Sequence, residues 1–193
     1  MRIEKLGCKM DIYSGQIMGR VLAEDNNDVK AKVFKVIVPK AITSDGFISV
    51  KDLAEEKLKE TPDKNRVTKL GDIVIKLSTP YDSALITEET VDCVIPSFCA
   101  LIRNVEGVDK NYLLAFLNSK ICKEQLKSKV LGSVMTILSV GKIKDVEIPL
   151  PDKEEQYKIG KSYREVQEKV ATLQRIIELE SKKNDVLFYD MVK

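Results

Sequence analysis

Over the first 150 positions, apolar residues come in short runs that are either continuous or alternate with polar ones. Lys32-Val33-Phe34-Lys35-Val36-Ile37-Val38, Asp72-Ile73-Val74-Ile75-Lys76-Leu77 and Val94-Ile95-Pro96-Ser97-Phe98-Cys99-Ala100-Leu101-Ile102 are rich in β-branched and aromatic residues. Gly, Pro, Asp and Asn bound them, and the pattern predicts strands. Val134-Met135-Thr136-Ile137-Leu138 and Val146-Glu147-Ile148 predict two shorter strands. Two helices are predicted between them: a charged one over 50–59, and one over 111–127 with Leu113, Leu114, Phe116, Leu117, Ile121 and Leu126 at mostly helical spacing. The stretch 59–69, rich in Lys, Asp, Asn and Pro, reads as a polar loop or recognition surface.

The pattern changes at Pro149-Leu150-Pro151. No proline follows, and only Gly160 interrupts a long helix-forming sequence. Asp152 can cap its N-terminus, with Glu154 and Glu155 in the positively polarised first turn. Ile159, Tyr163, Val166, Val170, Leu173 and Ile177 then follow at the alternating spacing of a heptad seam. A helix from Lys153 to Met191 would reach about 58 Å, further than a compact domain of this size. Its apolar seam either folds back on the same domain or takes a second helix, and the repeat favours a coiled-coil partner. The expected architecture is α+β, with a globular domain over 1–151 and one long helix over 152–193.

Composition narrows the function. The chain has 193 residues, 44% hydrophobic and 32% charged, enough for one soluble domain with a real core. With 32 Lys plus Arg against 30 Asp plus Glu the net charge is +2, which excludes a strongly basic coat but leaves room for a basic face. There is no histidine, so a triad histidine and an imidazole-ligated metal are both ruled out. Cys8, Cys93, Cys99 and Cys122 form no CxxC and read as small buried apolar groups with reduced thiols. The opening Met1-Arg2-Ile3-Glu4-Lys5 has no apolar leader, and no apolar run approaches the ~20 residues of a membrane span. The sequence therefore points to the cytoplasm and away from a membrane.

Catalytic motifs are missing. GxGxxG, GxxxxGK[ST] and GxSxG do not occur, and Gly15-Gln16-Ile17-Met18-Gly19 lacks a surrounding phosphate cradle. Asp63, Glu55 and Lys57 make a nuclease-like trio only if strand placement is ignored. No catalytic residue, cofactor or metal site is expected, and binding is the remaining trade. Lys64, Arg66 and Lys69 lie in the polar stretch, and Lys76, Ser78, Thr79 and Tyr81 lie in and after the next strand. Lys129, Ser133, Thr136, Lys142 and Lys144 gather before the Pro-rich junction. Lys and Arg suit phosphates, and hydroxyl and amide side chains suit phosphates or base edges, although each residue alone could equally be ordinary surface.

Several short motifs occur in a telling order. Glu4-Lys5-Leu6-Gly7 leads to Ile12-Tyr13-Ser14-Gly15, then Asp45-Gly46 and Leu70-Gly71-Asp72-Ile73-Val74-Ile75. A strand ending in Arg103 follows, then Tyr112-Leu113-Leu114-Ala115-Phe116-Leu117-Asn118-Ser119, and finally Ile148-Pro149-Leu150-Pro151 with Glu154-Glu155-Gln156 and Ile159. In this order they resemble the specificity subunits of type I restriction–modification systems, over nearly the whole chain.

That resemblance implies a non-catalytic subunit whose recognition domain reads double-stranded DNA and whose spacer helix follows it. Methylation and cleavage would belong to a methyltransferase subunit and a restriction subunit. The family usually carries two recognition domains and two spacer helices on one chain. This sequence has one of each, which the resemblance implies is a half-length form, a homodimer joined by Ile159, Tyr163, Val166, Val170, Leu173 and Ile177. The competing expectation is a coiled-coil dimer whose globular part binds protein and serves regulation.

Overall fold

The computed structural model describes residues 2–23, 31–130 and 137–191. Its elements are β1 (Arg2–Lys5), β2 (Asp11–Ser14), α1 (Met18–Val21), β3 (Lys32–Val36), β4 (Ala54–Leu58), β5 (Ile73–Lys76) and β6 (Ser83–Leu85). They continue with β7 (Cys99–Arg103), α2 (Lys110–Asn118), α3 (Lys120–Ser128), α4 (Val140–Lys144), β8 (Glu147–Leu150) and α5 (Lys153–Met191). This is the expected mixed architecture with a terminal long helix. No described helix is long and apolar enough to cross a membrane.

A four-stranded antiparallel sheet in the order β2-β7-β5-β6 organises the domain. β7 is buried along its whole length. Ala100 and Ile102 enter one core with Ile73, Ile75, Leu113, Leu114 and Ile143, whereas Cys99 and Leu101 enter another with Val74, Ile37 and Ile95. A strand covered on both faces needs apolar residues at every position, which explains its unbroken run. β3 and β4 form a separate two-stranded antiparallel sheet, and β1 pairs with β8, so the start of the domain is tied to the segment entering the long helix.

Several expected elements differ. Over 50–59 there is a 3₁₀ turn at Val50–Asp52 and then β4 in place of a helix. Ala54-Glu55-Glu56-Lys57 favours a helix intrinsically, but β3 offers a partner strand and sets Lys35 opposite Glu55, an opposite-charge cross-strand pair. The helix over 111–127 is two helices. Ser119 ends α2, its Oγ donating to Phe116 O at 2.6 Å, and starts α3, accepting from Cys122 N at 3.2 Å. The break leaves Ile121 64% exposed. Within 94–102 the strand begins only at Cys99, and Val94 and Pro96 make isolated bridges. Most of the strand expected over 134–138 lies outside the described residues.

Cys93, Cys99 and Cys122 are buried, and burial pushes the thiols of Cys99 and Cys122 up to about 12. Cys8, expected inside, is exposed at the end of a 3₁₀ turn in which only Leu6 is buried.

α5 starts as the sequence predicts, with Asp152 Oδ1 accepting from Glu155 N at 2.8 Å. Its first turns are seated on α2. Gln156 is buried, accepting from Asp109 N at 3.0 Å and donating to Pro151 O at 2.9 Å. Tyr163 Oη accepts from Asn118 Nδ2 at 2.9 Å, and the Arg164 guanidinium lies 4.5 Å from the Phe47 ring centroid. From Thr172 to Met191 every residue is exposed. The heptad spacing puts Tyr163 on the seam, but in the structure it packs on its own domain.

Candidate nucleic-acid interface

The polar stretch 59–69 folds into a 3₁₀ turn at Lys64–Arg66, because Asp63 Oδ1 accepts from Asn65 N at 2.8 Å and Asp63 O accepts from Arg66 N at 2.8 Å. Lys64, Asn65 and Lys69 are exposed, and Arg66 is half-buried. Among the described residues, Lys64 and Lys69 have no ion pair. Arg66 Nη1 donates to Oε1 of the buried Gln16 at 2.9 Å, which orients the guanidinium from behind. A groove of about 390 Å³ runs beside the turn, with Phe34, Pro62 and Val67 as its apolar wall and Lys64, Lys69 and Asp92 among its polar residues.

The turn is held from inside the domain. Arg103, 7% exposed, lies against Asp72, 3% exposed, with Nε 2.9 Å from Oδ1 and Nη2 2.6 Å from Oδ2. The Asp72 hydrogen bonds raise the Arg103 pKa above its usual value, outweighing the opposing effect of burial. Thr68, fully buried, adds Oγ1 bonds to Thr90 O at 2.7 Å and Cys93 O at 3.2 Å. Sequence reasoning missed Gln16, Asp72 and Arg103 as parts of this site. The one available signal was a charged residue closing a wholly apolar strand, since burial there demands a partner.

The other candidates divide. Ser78 and Thr79 are exposed in the turn after β5, and Leu138 N donates to Leu77 O at 2.8 Å, bringing the segment before α4 beside that turn. On α4, Lys142 is half-buried and Lys144 exposed, and Lys129 is half-buried at the end of α3. Ile12 and Ile143 share the first core, whereas Tyr13, on the opposite side of β2, lies 5.9 Å under the Arg103 guanidinium. The turn at Lys64–Arg66 and α4 thus border β2 from opposite faces of the sheet.

Two candidates point inward. Tyr81 is 2% exposed in the first core, and Lys76 Nζ lies 3.0 Å from Asp82 Oδ2, where its side chain is largely covered. Neither offers an edge to a ligand in this arrangement. Ser133 and Thr136 lie outside the described residues.

Among the described residues no group of three or more His, Cys, Asp and Glu could hold a metal ion. The surface therefore offers cations, hydroxyls and one oriented guanidinium, which suits a polyanion with readable edges.

Comparison with known proteins agrees on the fold. The chain is similar to the HsdS subunit from Thermoanaerobacter tengcongensis, at 21% identity and a TM-score of 0.67, over 96% of this chain and 47% of that one. A structure described as the basis of complex assembly and conformational transition of the type I R-M system gives 20% identity, a TM-score of 0.68 and coverage of 96% and 47%. The type I restriction–modification S subunit from M. genitalium gives 13% identity, a TM-score of 0.59 and coverage of 94% and 42%. The chain thus spans somewhat less than half of each of these structures. No curated protein sequence matches it. The family model for the type I restriction modification DNA specificity domain matches residues 18–187, nearly the whole chain, and the protein belongs to that family.

Proposed function

We propose that this chain recognises a specific sequence in double-stranded DNA as one target-recognition domain, over 1–151, joined to a spacer helix over 152–193. The observation that carries this reading is the clamped turn at Lys64–Arg66 in a member of the DNA specificity domain family. Lys64 and Lys69 would grip phosphates, and Arg66, held by Gln16, would present its outer edge to a guanine. Ser78, Thr79, Lys129, Lys142 and Lys144 would add contacts along the duplex, with the lysines mainly on phosphate.

The helix would pair antiparallel with the helix of a second copy through Ile159, Val166, Val170, Leu173 and Ile177. Four of these are exposed: Ile159 by 44%, Val166 by 51%, Leu173 by 59% and Ile177 by 64%. Further along, Ile176, Leu179 and Val186 widen the apolar arc beyond a two-helix seam, which suits a methyltransferase subunit docking on the helix pair. A restriction subunit would join through that complex. The chain itself would contribute recognition, with methylation and cleavage supplied by those partners in the cell interior.

Binding to random duplexes across a salt series tests the DNA reading. Each phosphate contact contributes about 0.9 to the log–log salt slope. Lys64→Gln with Lys69→Gln is expected to flatten the slope by nearly two and to weaken binding on every sequence alike. An unchanged slope, or a wild-type chain that does not bind DNA, rejects the interface and favours a protein-binding module.

A further inference from the structure

A buried arginine–carboxylate pair contributes little net stability, because desolvation offsets most of the attraction, and an apolar pair of similar volume often does as well. Asp72 and Arg103 do more than face each other. Arg103 Nη2 also donates to Val67 O at 2.7 Å, and Nη1 to Lys64 O at 3.4 Å. Asp72 Oδ2 also accepts from Lys69 N at 2.8 Å. The pair therefore holds three backbone atoms of the segment 64–69, one at each end and one in the middle. The rest of the segment is shaped by a single 3₁₀ turn and by irregular pairing with 92–95, in which Thr68 N donates to Cys93 O at 2.9 Å and Arg66 O accepts from Ile95 N at 3.0 Å; among the described residues no bond of that pairing reaches Lys64 or Lys69.

Geometry explains why arginine is needed. Its planar fork can bind both carboxylate oxygens and still direct N–H groups outward, whereas a lysine ammonium cannot span those acceptors. Both anchors sit on neighbouring strands of the main sheet, Asp72 just before β5 and Arg103 closing β7, whose pairing sets Ile73 opposite Ile102. The segment is thus referenced to the buried centre of the main sheet.

We propose that Asp72 and Arg103 are positioning residues that set the reading geometry of the segment 64–69, so that sequence discrimination depends on a pair that never touches DNA. This rests on the reading of that segment as the DNA-contacting edge. A bound edge fixed in advance loses less freedom on binding, and small displacements of Arg66 would cost it the paired acceptors of a guanine.

The test uses the full chain, trypsin and two duplexes: a consensus selected from random duplexes by the wild-type protein, and a scrambled control. Arg103→Lys keeps a cation beside Asp72 but releases the carbonyls of Lys64 and Val67. The expected result is a loss of about tenfold in the consensus-to-scrambled affinity ratio. Faster trypsin cleavage after Lys64 and Arg66, with melting of the domain changed little, should accompany it. Should Arg103→Lys fail to fold, Arg103→Met with Asp72→Asn removes the tether while leaving no unpaired charge. If that variant also fails to fold, the pair is structural and the proposal falls. A folded variant with wild-type ratio and wild-type cleavage also overturns it. Failure of the underlying reading looks different: Lys64→Gln with Lys69→Gln then leaves DNA binding untouched, or selection gives no consensus, while the trypsin result still reports the tether.

Discussion

Asp82 is 3% exposed and accepts from two ammonium groups, Lys76 Nζ at 3.0 Å and Lys123 Nζ at 2.8 Å. Burial alone would raise its pKa, but the hydrogen bonds and charges of the two lysines outweigh it and hold the carboxyl below its ordinary 3.8. A carboxylate with a lowered folded pKa stabilises the fold at pH values above the unfolded one, and that contribution is lost as pH falls through the folded value. Asp82→Ala, which strands both ammonium groups, is expected to cost about 3 kcal/mol at pH 7. Thermal melts should show this deficit shrinking as pH falls below the ordinary 3.8, where the unfolded carboxylate protonates first, and levelling off only once pH is below the lowered folded value. A deficit independent of pH would show that packing and not charge is at stake. The same triad explains why Lys76 was misplaced from sequence alone. A lysine at the end of an apolar strand reads as a solvent-facing group, and nothing local says that the returning hairpin brings a carboxylate six positions away to meet it. Tyr81 is the parallel case, a residue flanked by polar neighbours that the turn after β5 folds into the core.

At the scale of elements, Gly160 decides how closely the long helix approaches the domain. A Cβ there would come 2.6 Å from Tyr112 N and 2.7 Å from Asp109 Oδ1. Those atoms form the capped first turn of α2, where Asp109 Oδ1 accepts from Tyr112 N at 2.9 Å, so they cannot simply yield. Gly160→Ala is expected to destabilise by about 1–3 kcal/mol despite alanine's better helix propensity. Gly19→Ala, with nothing within 4 Å of its Cβ, serves as the control and should be neutral or slightly stabilising. Urea denaturation of the two variants checks the contrast, and equal midpoints would mean that α5 does not seat as described. The helix itself was plain in the sequence because caps, absence of proline and a heptad seam all agree. The sheet strands were plain because burial on both faces leaves apolar runs. β4 was not, since its pairing with β3 overrides the helix preference of its residues. The break at Ser119 had a local signal, a serine able to cap, which a continuous apolar periodicity obscured.

At the scale of the whole molecule, α5 projects past the domain that anchors it. On a wheel of about 3.6 residues per turn, Gln156, Gly160, Tyr163 and Arg164 face the domain, and Ile159, Val166, Leu173 and Ile177 lie on the adjoining side. Seating the helix therefore leaves the seam uncovered, which explains how one helix can hold its own domain and still offer a surface to another. Val170→Glu with Leu173→Glu is expected to give a monomer by light scattering while the domain keeps its melting transition. A wild-type chain that is already monomeric at high micromolar concentration would show that the seam has no second copy as partner. A homodimer carries a further consequence. Two copies of one recognition domain related by a two-fold axis read the same half-site in inverted orientation, so the target must be an interrupted palindrome. In such a dimer the length of the paired helices would fix the gap, at about 3.4 Å of duplex per base pair. The monomeric variant should then keep the weak half-site affinity and lose its dependence on gap length, because one domain cannot sense where a second half-site lies. Selection from random duplexes with the methyltransferase subunit present checks this directly, and an asymmetric consensus would exclude the symmetric dimer as the reading unit.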